Sequence, residues 1–293
     1  TMLLLVLGGA AVCGWAVLCF MFWQGSWQLL YHPTSSVVRT PASKGLAFDS
    51  IAFEAIATGQ PSLRGWWIPS SAPQAPGTLT ALYLHGASGN IGDTVDMLAS
   101  LHNAGVNILT FDYRGYGQSQ FVHPSEMHWQ QDAKSALSYL TGTRHIAPAS
   151  IILVGRDLGA DLALETAAQH SELAGAVLIA PIPSAANQII HDPRALFVPA
   201  HWLASDRWEL RLPAKQIRIP VLWFEWTVDP DTLPLPDQPQ IFNQVASPRN
   251  FVWLTPTRDP DAVLSGSLSA WLSDLKNKGR DLPPCMASGD ITC

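Results

Sequence analysis

The stretch Ile151-Ile152-Leu153-Val154-Gly155-Arg156-Asp157-Leu158-Gly159-Ala160-Asp161-Leu162-Ala163-Leu164 decides the fold. A short apolar run ends at Gly155, and a helix-forming segment, Leu158 to His170, begins three residues later. Strands that are apolar on both faces belong to sheets covered on both sides. Gly155 and Gly159 let the chain turn sharply and bring the helix close to the strand.

Working outward, the same strand-then-helix alternation recurs. Val106 to Phe111 precedes a helix over Pro124 to Leu140, and Ala176 to Ala180 follows the central unit. Upstream, Thr80 to Leu84 is an apolar strand, and Leu46 to Ala57 and Leu63 to Ile68 alternate as an antiparallel pair turning at Gly59-Gln60-Pro61. Downstream, Val221 to Phe224 and Asn250 to Leu254 precede a last helix near Ser267 to Lys276. Buried strands joined by crossover helices predict a mostly parallel α/β sheet with helices on both faces. The irregular stretch of about 181–218 fits a lid insertion.

The N-terminus follows different chemistry. Met2 to Trp23 carries no charge, and the first charged side chain is Arg39. Twenty-two helical residues span about 33 Å, enough for a hydrocarbon core of roughly 30 Å. Phe20, Phe22, Trp23, Trp27 and Tyr31 gather at its end, as aromatic rings do at headgroups. The expected organisation is a transmembrane anchor over 1–30, a linker over 31–45, a domain over 46–280 and a tail over 281–293.

Net charge is −6 without a basic block, which excludes a nucleic-acid partner. Only 14% of residues are charged, which fits equally a partly covered surface and a composition biased toward Ala, Pro and Ser. Ala10 and Gly14, one helical turn apart, either let another helix approach closely or simply face lipid as small residues. Cys13 and Cys19 lie in the span; Cys285 and Cys293 could close a disulfide, which would place the domain in a periplasmic or other extracytoplasmic compartment. Arg39 and Lys44 on the same flank argue for the opposite orientation. No metal site or cofactor is expected.

Three segments in order resemble the α/β-hydrolase superfamily, in particular its membrane-anchored serine-hydrolase branch. They are Leu82-Tyr83-Leu84-His85-Gly86-Ala87-Ser88-Gly89-Asn90, Phe111-Asp112-Tyr113-Arg114-Gly115-Tyr116-Gly117-Gln118-Ser119 and Val154 to Ala160. The resemblance implies that His85, Gly86 and Ala87 form a remnant of the oxyanion loop and that Gly155 and Gly159 flank a nucleophile elbow. It places Asp157 where the family carries its serine. Aspartate serves as nucleophile in the family's dehalogenases and epoxide hydrolases, but Leu158 replaces the dehalogenases' halide-binding Trp, and the lid lacks a Tyr. The plainer expectation is that Asp157 caps the following helix.

The family's base follows its eighth strand, and Leu254 to Asp261 contains no histidine; the last one in the chain is His201. Asp229, in Glu225-Trp226-Thr227-Val228-Asp229-Pro230, matches the acid position but lacks an imidazole to orient. Asp157 and Asp229 are therefore read as vestigial. The expected function is a non-catalytic accessory or structural subunit of a membrane complex, in contact with lipid and an integral-membrane partner. The alternatives are a hydrolase using Asp157 with a base from His191 or His201, and a small-ligand binding protein.

Overall fold

In the computed structural model, residues 2–55, 60, 62–71, 78–226, 238–255, 259–278 and 291–292 are described. The N-terminal helix, α1 (Met2–Gly25), buries none of its side chains, and the apolar helical stretch through Leu29 is long enough to cross a membrane. Short strand β1 (His32–Pro33) follows, then β2 (Asp49–Phe53), β3 (Leu63–Ile68), β4 (Thr80–Leu84) and β5 (Ser88–Gly89). Helix α2 (Val95–Asn103) leads to β6 (Asn107–Asp112), and α3 (Glu126–Ser138) to β7 (Ile151–Arg156). After α4 (Leu158–Gln169) and β8 (Gly175–Ile179), the insertion before β9, called the lid segment below for its position alone, carries α5 (Ala185–Ile190), α6 (Ala200–Leu203) and α7 (Arg211–Gln216). The chain continues through β9 (Val221–Trp226), α8 (Gln238–Phe242), β10 (Arg249–Leu254), α9 (Pro260–Lys278) and β11 (Ile291–Thr292).

The sheet runs β11-β10-β9-β8-β7-β4-β6-β3-β2. Strands β10 through β6 pair in parallel, whereas β2, β3 and β11 join antiparallel. One face packs against α3, α4 and the lid through Trp129, Leu162 and Ala214; the other packs against α2 and α9 through Leu98, Leu101 and Trp271. Burial on both faces is what makes the central strands continuously apolar. Because β4 connects to β6 on one side while β7 lies on the other, the C-terminal end of β4 is a switch point where the crossovers diverge.

Two details differ from expectation. Helix α2 was not anticipated; Val95, Leu98 and Leu101 give it a buried stripe, but that signal spans barely two turns. The stretch read as a linker lies against the domain: Tyr31 is buried, and β1 pairs in parallel with β5. The backbone of His32 donates to the Ala87 carbonyl and that of Thr34 to the Gly89 carbonyl, so the loop after β4 is held from outside.

Candidate active site

The elbow between β7 and α4 is a backbone construction. A Cβ on Gly155 would run into the Gly159 carbonyl, and a Cβ on Gly159 into the Leu84 carbonyl. With no atoms to spare, the residue midway between the two glycines, Asp157, takes φ 52° and ψ −128°. Non-glycine residues in such conformations store strain of about 1–3 kcal/mol. The expectation that Asp157 caps α4 is corrected here: its side chain makes no cap hydrogen bond. Capping needs an extended backbone, which aims the side chain at the second and third helical N–H groups. The left-handed elbow aims it elsewhere.

The Asp157 carboxylate turns instead toward the loop after β4, where a Cβ built on Gly86 would sit 2.8 Å from its Oδ2. Asp157 is half-exposed; burial raises its pKa, and the Arg156 guanidinium, 3.7 Å away, draws it back. Together with Gly86, Ser88, Asp93, Arg156 and Asp261 it lines a cavity of about 690 Å³ at the switch point.

His85 borders the same cavity with its side chain buried. Its Nδ1 lies 2.7 Å from the Gly86 carbonyl, and its ring is enclosed by Tyr113, Tyr116 and Trp129. Tyr113 donates to the His85 carbonyl and Tyr116 to that of Ala87, so both residues are fixed through their backbone. Nε2 faces Asp112 at 3.8 Å. Burial lowers the imidazole pKa to about 4, against the hydrogen bond it donates to the Gly86 carbonyl, and raises the Asp112 carboxyl to about 7, against the backbone N–H groups it accepts from. Between those values both groups are neutral in the folded chain. Asp112 also holds the loop after β5 in place, by accepting the backbone N–H of Ile91.

The two lid histidines do not reach Asp157. His191 is exposed with Nδ1 on the Asn187 carbonyl of its own helix, and His201 is exposed beside Trp202. Leu158 is buried in the core. All nine histidines of the chain are among the described residues, and His85 alone lines the cavity at Asp157. Asp229, Cys285 and Cys293 lie outside the described residues; Cys13 and Cys19, in α1, are free thiols. No group of three metal-ligating side chains occurs among the described residues.

Two arrangements were not legible in sequence. One is the pairing of His85 with Asp112; both sit in the recognised motifs, but nothing in their spacing shows that they face each other. The other is a buried chain in which Trp208 Nε1 donates to Tyr31 Oη at 2.9 Å and Tyr31 donates to Asp206 at 2.8 Å. It ties Tyr31, six residues beyond the end of α1, to the lid across 175 residues or more.

Comparison with known proteins agrees with this architecture. A family model described as "Serine aminopeptidase, S33" matches residues 78–230, just over half of the chain. An uncharacterized protein of Mycobacterium tuberculosis, Rv2307c, is 29% identical over 237 residues, covering 78% of this chain and 79% of its own. The uncharacterized protein YfhR of Salmonella typhi is 27% identical over 253 residues, covering 80% and 81%. Among solved structures, an esterase of Pyrococcus furiosus superposes with a TM-score of 0.62 at 15% identity, over 86% of this chain and 98% of that one. An α/β hydrolase of Vibrio vulnificus gives 0.56 at 19% identity, over 81% and 82%. At these identities the structural likeness establishes the fold.

Proposed function

The chain belongs to the serine aminopeptidase S33 family of α/β hydrolases, and from that premise we propose that it is a member without working hydrolytic machinery. In this reading α1 anchors the domain in a membrane, the domain faces an extracytoplasmic compartment, and the protein serves as an accessory or structural subunit of a membrane complex. One observation carries the non-catalytic part. Of nine imidazoles, only His85 borders the cavity at Asp157, and its ring is shut among three aromatic rings with Nδ1 on a carbonyl.

Both serine and aspartate mechanisms on this fold need a free imidazole, to take the nucleophile's proton or to activate the water that cleaves an ester intermediate. Losing that imidazole costs about 10⁶ in turnover, or about 8 kcal/mol of transition-state stabilisation. The Asp157 backbone keeps the family's elbow because Gly155 and Gly159 leave no other path, which requires no catalytic demand.

The test is turnover of ester and aminoacyl-amide substrates by the purified full chain in detergent, beside Asp157→Asn and Asp157→Ser. The expected result is no rate above the detergent blank for any of the three and no labelling by a fluorophosphonate. Turnover in the wild type that Asp157→Asn abolishes would overturn this reading in favour of an aspartate nucleophile with a displaced base.

A further inference from the structure

The lid and the N-terminal helix meet well inside the apolar span. Trp15 Nε1 donates to the Phe197 carbonyl at 2.9 Å, and α6 packs against α1. From Trp15 to Gly25 the helix rises about 15 Å further. Along that rise Val17, Leu18, Phe20, Met21 and Trp23 are each more than half exposed, and no charged residue interrupts them. A bilayer that ended at the level of Trp15 would leave all of these side chains in water. One that covers them must reach past the point where the lid touches the helix.

The lid presents matching chemistry there. Leu196 is 76% exposed, Phe197 72% and Trp202 78%, all within seven residues, whereas Ala195, Ala200 and Ala204 are buried and Val198 and Leu203 half-buried. In a water-poor layer the Trp15 N–H and the Phe197 carbonyl would each lack a solvent partner, and they satisfy one another. The position is also rigid: the buried Trp208–Tyr31–Asp206 chain fixes the lid to the foot of α1, and Trp27 stacks on His123 beside it.

We propose that the lid tip, residues 196–202, is a second membrane-inserted element, with Leu196, Phe197 and Trp202 seated in the hydrocarbon–headgroup boundary of the leaflet from which α1 emerges. The inference rests on the reading of α1 as a membrane anchor. The backbone around Phe197 is irregular, so the tip belongs at that boundary, about 5–10 Å deep, and not in the hydrocarbon centre, where unpaired peptide groups are not tolerated. The occupant of this apolar surface is therefore lipid. The surface continues directly from the lipid-facing side of α1.

The test uses the full chain reconstituted in phosphatidylcholine–phosphatidylglycerol vesicles that carry a diazirine on the acyl chain, with photo-adducts mapped by peptide mass spectrometry. Lipid adducts are expected on α1 and on 196–202. The triple variant Leu196→Ser, Phe197→Ser, Trp202→Ser should lose the lid adducts by about fivefold or more while keeping those on α1. An unchanged melting temperature in that variant would show that the loss is not unfolding. Adducts on α1 alone, or crosslinks from the lid to a second copy or another protein in place of lipid, would overturn the inference and leave the anchor intact. Adducts on neither element would overturn the anchor as well.

Discussion

The elbow at Asp157 and the seam between the lid and α1 are held by opposite means. At the elbow, shape comes from backbone against backbone: Gly155 and Gly159 pack carbonyls where a methyl group cannot fit, and the side chain between them forms no cap hydrogen bond with the helix it begins. At the seam, shape comes from side chains, with Trp208, Tyr31 and Asp206 joined by hydrogen bonds in the interior and Trp15 reaching a lid carbonyl outside it. A backbone device persists whatever residue it displays, because packing enforces it. A side-chain device persists only while every partner is present.

The largest expected effect tests the first half of that contrast. Gly159→Ala should destabilise the protein by about 3 kcal/mol, the upper end of the usual overpacking cost, since a clash with two carbonyls cannot be relieved by a rotamer change. Thermal unfolding of the purified full chain measures it. A variant that melts within a degree or two of the wild type would show that the elbow is looser than its geometry requires.

At the seam, Tyr31→Phe removes the hydroxyl that joins the other two groups and leaves the buried Asp206 carboxylate without that donor. A loss of about 1–3 kcal/mol is expected. Proteolysis of the lid segment should also become faster. If stability and lid cleavage are both unchanged, the seam is not maintained by this chain of bonds.

Asp157→Gly should do the reverse. Glycine adopts φ 52° without strain, so the variant should gain up to about 1 kcal/mol after glycine's own entropic cost. A loss of stability would mean that the carboxylate makes a favourable interaction in the cavity, which would weaken the distinction drawn between the two regions.

The smallest effect concerns His85 and Asp112, buried next to the elbow. Asp112 is protonated in the fold up to about pH 7, so its contribution is fully present below its ordinary value of 3.8 and is lost as pH rises through 7. His85 stays neutral down to about pH 4, so its contribution is present above 6.5 and is lost as pH falls through 4. Between roughly pH 4 and 6.5 the folded pair holds one proton on Asp112 and the unfolded pair one on His85, and the two slopes cancel. Relative to the wild type, His85→Gln should therefore make stability fall more steeply with rising pH in that window, and Asp112→Asn should make it fall less steeply. Melting temperatures of the two variants and the wild type across the window check both; slopes displaced from the wild type in the same direction would refute the opposed titrations.

Much of the site was readable before its geometry was known. Val154 to Ala160, with glycines at both flanks, implied a tight strand-to-helix turn, and His201 as the last histidine implied that no base follows the final strands. The error lay at Asp157, where aspartate before a helix suggested a cap. Residue type favours that role, but the cap also needs an extended backbone, and the packing of Gly155 and Gly159 against neighbouring carbonyls denies it. Helix α2 is not legible in the sequence, because three buried residues in nine make a faint stripe.

Sequence by itself determined the α/β alternation, the uncharged N-terminal helix and the identity of the residue at the elbow. These are properties of periodicity and composition along the chain, readable because strand and helix impose different spacings on apolar residues. Tertiary structure decided which distant groups meet: His85 with Asp112, Tyr31 with Asp206 and Trp208, and Trp15 with Phe197. Those contacts join residues up to 182 positions apart. No local pattern encodes such a pairing, because it depends on how the crossovers wind the sheet and where the lid segment comes to rest.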